Sequence, residues 1–359
     1  MKKQYKYLIV GAGLYGSVLA YRLKMLGESV LVIDERSHVG GNVYTEYKNN
    51  IYIHKYGPHI FHTNSNQVWS FIKQFDDFEQ FQYQPIAVYK DQIYNLPFNM
   101  HTFYKLFGWS HPTDAKKYFE KIPHTPYKNI EEFAIQHVGE EIYEKLIKGY
   151  TEKQWGSPCN LLSPEIIKRL PIRFEWNNNY FNDEYQGIPK HGYTYIIEKM
   201  LSGVDVELNT KFDMVKHYDD FEKIFYCGSV DELCDYRFGI LPYRSLRFVE
   251  TDNEESQGIP VMNFTNIEIP WTRRIDHKMF LRSTKNLQNT IMTYEYPCEW
   301  ELGLCRYYPI PLKLNMDLYN KYKDYICIKY PKITPCGRLG EYKYLNMDQI
   351  IESALNIKL

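Results

Sequence analysis

Residues 5–16 read YKYLIVGAGLYG, and the fold turns on them. YKYLIV has the composition of a buried strand, and the glycines that follow, Gly11, Gly13 and Gly16, are spaced G-x-G-x-x-G. Each glycine has its own physical task. Gly11 permits a tight turn, Gly13 lets backbone approach a pyrophosphate, and Gly16 lets a helix pack closely on a strand. Leu14 to Leu26 carries helical spacing, so the amides at Leu14 and after it open a helix whose N-terminus favours negative charge. SVLVID, residues 29–34, supplies a second strand. Strand, helix and strand in 30 residues predict the βαβ opening of a dinucleotide-binding α/β domain.

Two neighbouring features choose among dinucleotides. Asp34 ends the second strand 18 residues after Gly16, where a carboxylate accepts hydrogen bonds from an adenosine ribose. HVGGN, residues 38–42, then brings a second glycine pair and Asn42 against the same ligand, with Gly41 allowing close approach. Taken alone it is an ordinary Gly-Gly turn. A second stretch of backbone on the cofactor suits the longer, more embedded FAD better than a nicotinamide dinucleotide.

Bulk composition removes several classes. The 359 residues suffice for two or three domains. With 43 Lys+Arg against 44 Asp+Glu, nothing draws nucleic acid or anionic membrane to the whole surface, so any anion is bound by local charge. Seven scattered cysteines, odd in number and without a CxxC, support neither a disulfide framework nor a zinc ribbon. The start MKKQYKYLIV leaves no room for a signal peptide and no apolar run is long enough to span a bilayer, which predicts a cytoplasmic protein without membrane insertion. Aromatic content of 16%, with 34 tyrosines, supplies stacking faces and phenol hydroxyls for a polar ligand, although coding bias accounts for part of it.

Along the chain the period changes. Asn66 to Phe75 predicts a helix, FQYQPIAVYKDQIYNLPF a hairpin or sheet edge, and His101 to Trp155 a mostly helical region. LLSPEIIKRLPIRF, between prolines, reads as a short helix on a mobile connection. GIPKHGYTYIIEKML reads as a helix with a glycine-rich approach, and VDVELN and KIFYCG as strands returning to the first sheet. SLRFVET, VMNFTN and TIMTYEY predict an antiparallel sheet, and the last two segments are helical. The predicted fold class is α/β, a Rossmann-like FAD-binding domain with an inserted helical domain and an antiparallel β-sheet domain. Its expected divisions are 1–76, 191–243 and 325–359 for FAD; 97–170 for the helical part; 77–96, 171–190 and 244–324 for the substrate sheet.

HKYGPHIFHT, residues 54–63, holds three histidines around Gly57-Pro58. A helix would be needed to align them on a metal, the Gly-Pro pair breaks any helix there, and no cysteine or carboxylate is near in sequence. No metal is predicted, and a pocket wall is favoured over ligation.

Strings spread over the whole chain, among them HVGGNVYTE, HKYGPHIFHTN, NLPFNM, IKGYTEKQWG, NNNYFND, YQGIP, YRSL, NFTN, EYP, YYP and GRLGEYKY, resemble the prokaryotic UDP-galactopyranose mutase family. That resemblance implies a homodimeric flavoenzyme of cell-surface polysaccharide biosynthesis with an FAD domain, a helical domain and an antiparallel sheet. It implies isomerisation of a nucleotide-linked hexopyranose to its hexofuranose, UDP-galactopyranose to UDP-galactofuranose, with no net redox. The chemistry it implies runs only on FAD reduced by an external electron donor, through a covalent flavin N5–sugar adduct. Arg169 and Arg273 would hold the departing diphosphate, with Arg244 a weaker candidate; outside the family an arginine reads first as a surface ion pair. Tyr180, Tyr308 and Tyr344 match its diphosphate tyrosines and Tyr150 and Trp155 its uridine pair; alone, the latter two read as core. Asn263 and Asn346 fall at substrate positions, and Gly57, Pro58 and His59 at the reactive edge of the isoalloxazine, where the resemblance makes His59 catalytic, tuning flavin protonation, His62 a further pocket residue and His54 structural. Arg338 and Met347 match positions closing over the flavin. Asn346 stands where the family pattern has aspartate, and Leu146-Ile147 where some members place aromatics, which leaves dTDP-fucopyranose and UDP-N-acetylgalactosamine open as substrates. An FAD-dependent oxidoreductase and a non-enzymatic nucleotide-binding protein are the other readings.

Overall fold

The computed structural model describes residues 5–168 and 170–359, so Arg169 lies outside the described residues. The chain divides into two compact units, the first made of Met1–Gln80, Asp183–Tyr243 and Arg306–Leu359, the second of Phe81–Asn182 and Arg244–Cys305. A separate helical domain, as the sequence predicts it, is proposed as a subdivision of the second.

The first unit is built on a parallel sheet in the order Asp205–Glu207, Val30–Ile33, Tyr7–Val10, Lys223–Tyr226, Ile333–Pro335. YLIV and VLVI are apolar throughout because helices and loops cover both faces of such a sheet. The opening helix is Leu14–Met25, and Gly192–Leu201 and Met347–Asn356 pack against it. Ile9, Val18, Leu19, Val32, Phe225 and Ile351 form the shared core; each such side chain, removed from water, contributes about 1.5–3 kcal/mol. Arg22 fastens the end of the last helix by donating to the carbonyls of Ala354 (2.6 Å) and Ile357 (3.2 Å), a cation on helix C-terminal acceptors.

Both strands that the sequence returns to this sheet are there. Tyr185–Pro189, expected with 171–190 in the substrate sheet and ending in the glycine-rich approach to the next helix, is the middle strand of a separate antiparallel trio with Phe61–Thr63 and Phe78–Gln80. The helix predicted over 66–75 stops at Ile72, begun by Ser65, whose side chain accepts from the Val68 amide.

The second unit has strands in the order Tyr243–Glu254, Thr290–Glu299, Arg273–Asp276, Val261–Phe264, Ile86–Tyr89, Gln92–Asn95. The expected antiparallel sheet needs one correction, since Val261–Phe264 pairs with Ile86–Tyr89 in parallel. Its helices include Met100–Phe107, Pro112–Phe119, Ile130–Val138 and Gly149–Trp155, the last preceded by a π-helical stretch, Tyr143–Lys148. They bury Phe103, Ile130, Ile142, Tyr143 and Ile147. Gly149 is forced: a Cβ there would lie 2.2 Å from the Thr265 carbonyl oxygen, so only glycine lets this helix sit so close to the sheet.

Candidate functional site

The glycine loop of the first unit is built as its spacing predicts. Gly11 has φ +111°, and a Cβ on it would press within 3.0 Å of the Cys227 Cβ. A Cβ on Gly16 would lie 1.9 Å from the Gly11 carbonyl oxygen, so this glycine alone allows the helix to dock on the turn. Gly13 caps the helix without any side-chain partner, and the first turn holds no acidic residue. Its amides, from Leu14 onward, therefore face outward with a favourable field for an anion. Gly13 pairs with Gly40, and a Cβ on Gly41 would stand 3.0 Å from the Gly13 Cα. Two backbone runs thus meet glycine to glycine, a cradle that side chains would fill and a dinucleotide pyrophosphate fits.

Asp34 is buried at the end of its strand and accepts from the Ala12 amide (2.7 Å) and the Arg36 amide (2.9 Å). It fastens the glycine loop, and each oxygen keeps a further lone pair for a ribose hydroxyl. Asn42 accepts from an Arg36 Nη2 (2.9 Å), whose guanidinium lies over the Tyr56 ring at 4.8 Å.

Each of the three histidines has other partners, and among the described residues no group of three or more His, Cys, Asp or Glu is placed to hold a metal ion. His54, 2% exposed, accepts from the His59 amide through Nδ1 (3.0 Å), and burial presses it down to about 4. It is a neutral structural imidazole. Gly57 takes φ +102°, and its carbonyl accepts from His59 Nδ1 (2.7 Å). That bond fixes the proton on Nδ1 and makes Nε2 the basic nitrogen of His59. His62 pairs with Asp183 (2.7 Å), which Asn64 holds from the other oxygen (2.7 Å). Near the C-terminus Arg338 donates to the Leu345 carbonyl (2.7 Å) and lies over the Tyr344 ring at 4.6 Å, and Tyr344 sits 5.5 Å from Tyr308. Asn346 caps the last helix, with its amide donating to Gln349 (2.9 Å), and Met347 opens it. The cradle, His59, Tyr308, Tyr344, Arg338, Asn346 and Met347 all belong to this unit.

The second unit gathers a different group. Arg273 stands opposite Glu295 in the strand register and donates to it from Nε (2.8 Å) and from Nη2. Glu295 is fully buried and also accepts from the Thr272 hydroxyl (2.9 Å). Burial raises the phenols of Tyr150 and Tyr83, and the positive Arg273 draws both back down, which puts all three in one electrostatic neighbourhood. Tyr180 joins it, its ring 5.5 Å from Tyr83 and its amide donating to the Tyr83 carbonyl (2.7 Å). Arg173 holds that segment by donating to the Tyr180 carbonyl (3.2 Å), to Asn182 Oδ1 (2.6 Å) and to the Asn179 carbonyl.

Not every predicted ligand is placed alike. Arg244 is buried and donates to the carbonyls of Gln154 (2.9 Å) and Lys153 (3.3 Å), capping the helix that carries Tyr150 and Trp155. Asn263 spends its amide on the Ile86 carbonyl (3.0 Å), across the parallel strand pair. Sequence reading gave no role to Glu295, Tyr83, Arg173 or Gln154. Glu295 lies within the quoted EYP, and a carboxylate amid the apolar alternation of a strand was the available signal. Gln154 is one helical turn after Tyr150, with both side-chain polar atoms buried and unpartnered among the described residues, which marks a group in want of a polar ligand.

Comparison with known proteins agrees with both halves. The family model for UDP-galactopyranose mutase matches residues 145–344, and that for the NAD(P)-binding Rossmann-like domain matches 9–75. The chain is 36% identical to a probable UDP-galactopyranose mutase of Klebsiella pneumoniae, covering 97% of this chain and 92% of that protein. It is 34% identical to the dTDP-fucopyranose mutase of Escherichia coli, covering 98% and 96%. A crystal structure of reduced UDP-galactopyranose mutase shares the fold, with a TM-score of 0.74 over 98% of this chain and 94% of that one at 14% identity. A glycine cradle in one unit and an arginine–tyrosine group in the other, in a chain alike along nearly its full length, establish that this protein belongs to the UDP-galactopyranose mutase family.

Proposed function

We propose that the protein isomerises a nucleotide-linked hexopyranose to its hexofuranose, UDP-galactopyranose to UDP-galactofuranose, with bound FAD in its reduced form. The observation that carries this reading is Arg273, locked by Glu295 beside Tyr83, Tyr150 and Tyr180, in a chain that also builds a dinucleotide cradle.

Gly11, Gly13, Leu14, Gly16, Asp34, Gly41 and Asn42 would hold the adenosine diphosphate part of the cofactor. Gly57, Pro58, His59, Arg338 and Met347 would hold the flavin ring. The reduced flavin supplies a nucleophilic ring nitrogen and ends each cycle unchanged, so no net oxidation accompanies the rearrangement. The protein's part is charge and position. A leaving nucleoside diphosphate carries close to two negative charges, and a guanidinium fixed by a bidentate carboxylate meets that charge without reorganising. Tyr180 would add a hydroxyl donor beside Arg273, and family resemblance assigns Tyr308 and Tyr344 as further donors, Arg169 as a second cation, and Asn263 and Asn346 as substrate residues. Arg244 acts through the helix it caps.

Tyr150 and Trp155 offer faces to the base, and Gln154 offers one donor and one acceptor to an imide edge. Uracil and thymine present the same imide, so this contact selects a pyrimidine of that type and not one of the two. A dTDP-linked 6-deoxyhexose is therefore the second reading, favoured by the Escherichia coli relative, while Leu146-Ile147 and Asn346 leave both it and a UDP-linked N-acetylhexosamine open. Family resemblance further supports a cytoplasmic homodimer that takes electrons from an external donor and serves polysaccharide biosynthesis; among the described residues no helix is long and apolar enough to cross a membrane. The test is an anaerobic assay of dithionite-reduced protein against UDP- and dTDP-linked hexofuranoses. Conversion of one to its pyranose is expected, and failure with every member of the panel overturns the proposal.

A further inference from the structure

Lys153 lies on the helix Gly149–Trp155, between the two aromatic residues assigned to the base. Its Nζ donates into a ring of four backbone carbonyls: Phe264 (2.7 Å), Ile269 (2.9 Å), Trp271 (3.0 Å) and Asn266 (3.1 Å). Those oxygens belong to one loop, which leaves the strand Val261–Phe264 and re-enters the sheet at Arg273. The loop's last ring member is Trp271, two residues before Arg273. One cation thus ties the helix of Tyr150 and Trp155 to the segment that delivers the diphosphate ligand.

The surrounding contacts make the tie stiff. The Thr265 hydroxyl donates to the Lys145 carbonyl (2.7 Å), and Gly149 presses on the Thr265 carbonyl from the helix side. Arg244 closes the helix by donating to the Lys153 and Gln154 carbonyls. Without a cation at the centre, four inward carbonyl dipoles would face one another with no donor, which is costly when water is excluded. Burial presses Lys153 down to about 8, with Glu268 the charged group that pulls it up, and the four acceptors favour the charged form. It remains an ammonium at neutral pH.

We propose that Lys153 is a positioning residue: seated in the carbonyl ring of the Phe264–Trp271 loop, it sets the spacing between the base-binding helix and Arg273. This rests on the assignment of Tyr150 and Trp155 to the base and Arg273 to the diphosphate. A nucleoside diphosphate spans both groups, and its affinity depends on their separation, whereas the nucleoside alone or the pyrophosphate alone needs only one. Loss of the tie therefore strikes the linked ligand selectively, as expected when two subsites lose their common register.

The experiment is calorimetric titration of the oxidised flavin-loaded protein with UDP, uridine and inorganic pyrophosphate, or with dTDP and thymidine if wild type binds those more tightly. Lys153→Met is expected to weaken the nucleoside diphosphate about ten- to a hundredfold while each fragment changes by less than about threefold. Lys153→Arg keeps the charge on a fork too wide for the ring, shows the same selective loss, and serves if the methionine variant does not fold. In Lys153→Ala, added propylammonium, the part removed, restores binding of the linked ligand. Equal weakening of all three ligands, or no weakening of the nucleoside diphosphate, overturns the proposal. Tyr150→Ala and Arg273→Ala in parallel separate the two failures: if neither weakens the nucleoside diphosphate, the assignment of the subsites is itself wrong.

Discussion

Arg273 and Glu295 are cross-strand partners, joined by two charge-assisted hydrogen bonds between a partly exposed guanidinium and a carboxylate with no exposure at all. The carboxylate gives up part of the arginine's net charge in exchange for its orientation. A guanidinium so fixed presents a constant edge to an arriving diphosphate, and the Thr272 hydroxyl keeps the carboxylate itself from turning.

Glu295→Gln breaks the two-point lock and leaves an amide where a carboxylate met a cation. Turnover is expected to fall about tenfold to a thousandfold, in the range for loss of one preorganised group. Stability is expected to fall by about 1–3 kcal/mol. Steady-state kinetics and urea unfolding of the flavin-loaded protein measure both. Wild-type kcat in this variant would show that Arg273 needs no orienter.

The glycines separate folding from binding. Gly16→Ala places a Cβ 1.9 Å from the Gly11 oxygen and is expected to abolish soluble folded protein. At Gly13 the added Cβ meets Gly41 at 3.7 Å, an ordinary contact, so Gly13→Ala should fold yet bind cofactor more weakly. The ratio of flavin to protein absorbance after purification distinguishes them.

Gln154→Leu removes the donor and acceptor assigned to the base but keeps the volume. An order-of-magnitude rise in KM with kcat nearly unchanged is expected for a contact made equally in ground and transition states. The protein should be as stable or more so, because unpaired buried polar atoms are replaced by an apolar group.

His54 sets a pH dependence. Its native value, about 4, lies below the ordinary 6.5, so the unfolded chain binds the proton first. The contribution to stability is complete above about pH 6.5 and is lost as pH falls toward 4. His54→Asn retains an acceptor for the His59 amide and should flatten the decline of melting temperature over that interval. An unchanged decline would assign the acid sensitivity to other groups.

The opening of the fold is legible from sequence because its glycines act through their own backbone: a turn, a close approach and a helix–strand contact are local demands. Pairing between distant segments is not local. Nothing in YQGIP says that it lies between residues 61–63 and 78–80, or that VMNF runs parallel to IAVY in an otherwise antiparallel sheet. The same limit applies to the site. Arg273 is recognisable by family resemblance, but its dependence on Glu295, 22 residues later, appears only with the register. Arg244 carries the same chemistry in sequence and is used to cap a helix. Gln154 is indistinguishable in sequence from any polar helical residue, and only its burial sets it apart.

The most direct test of the central claim is the stoichiometry of product to flavin oxidation under strict anaerobiosis. Protein reduced once, freed of excess dithionite and given a nucleotide-linked hexofuranose should form many equivalents of pyranose while its flavin absorbance stays bleached. Product limited to one equivalent per flavin, with the oxidised spectrum returning as it forms, would contradict the account and make the protein an oxidoreductase.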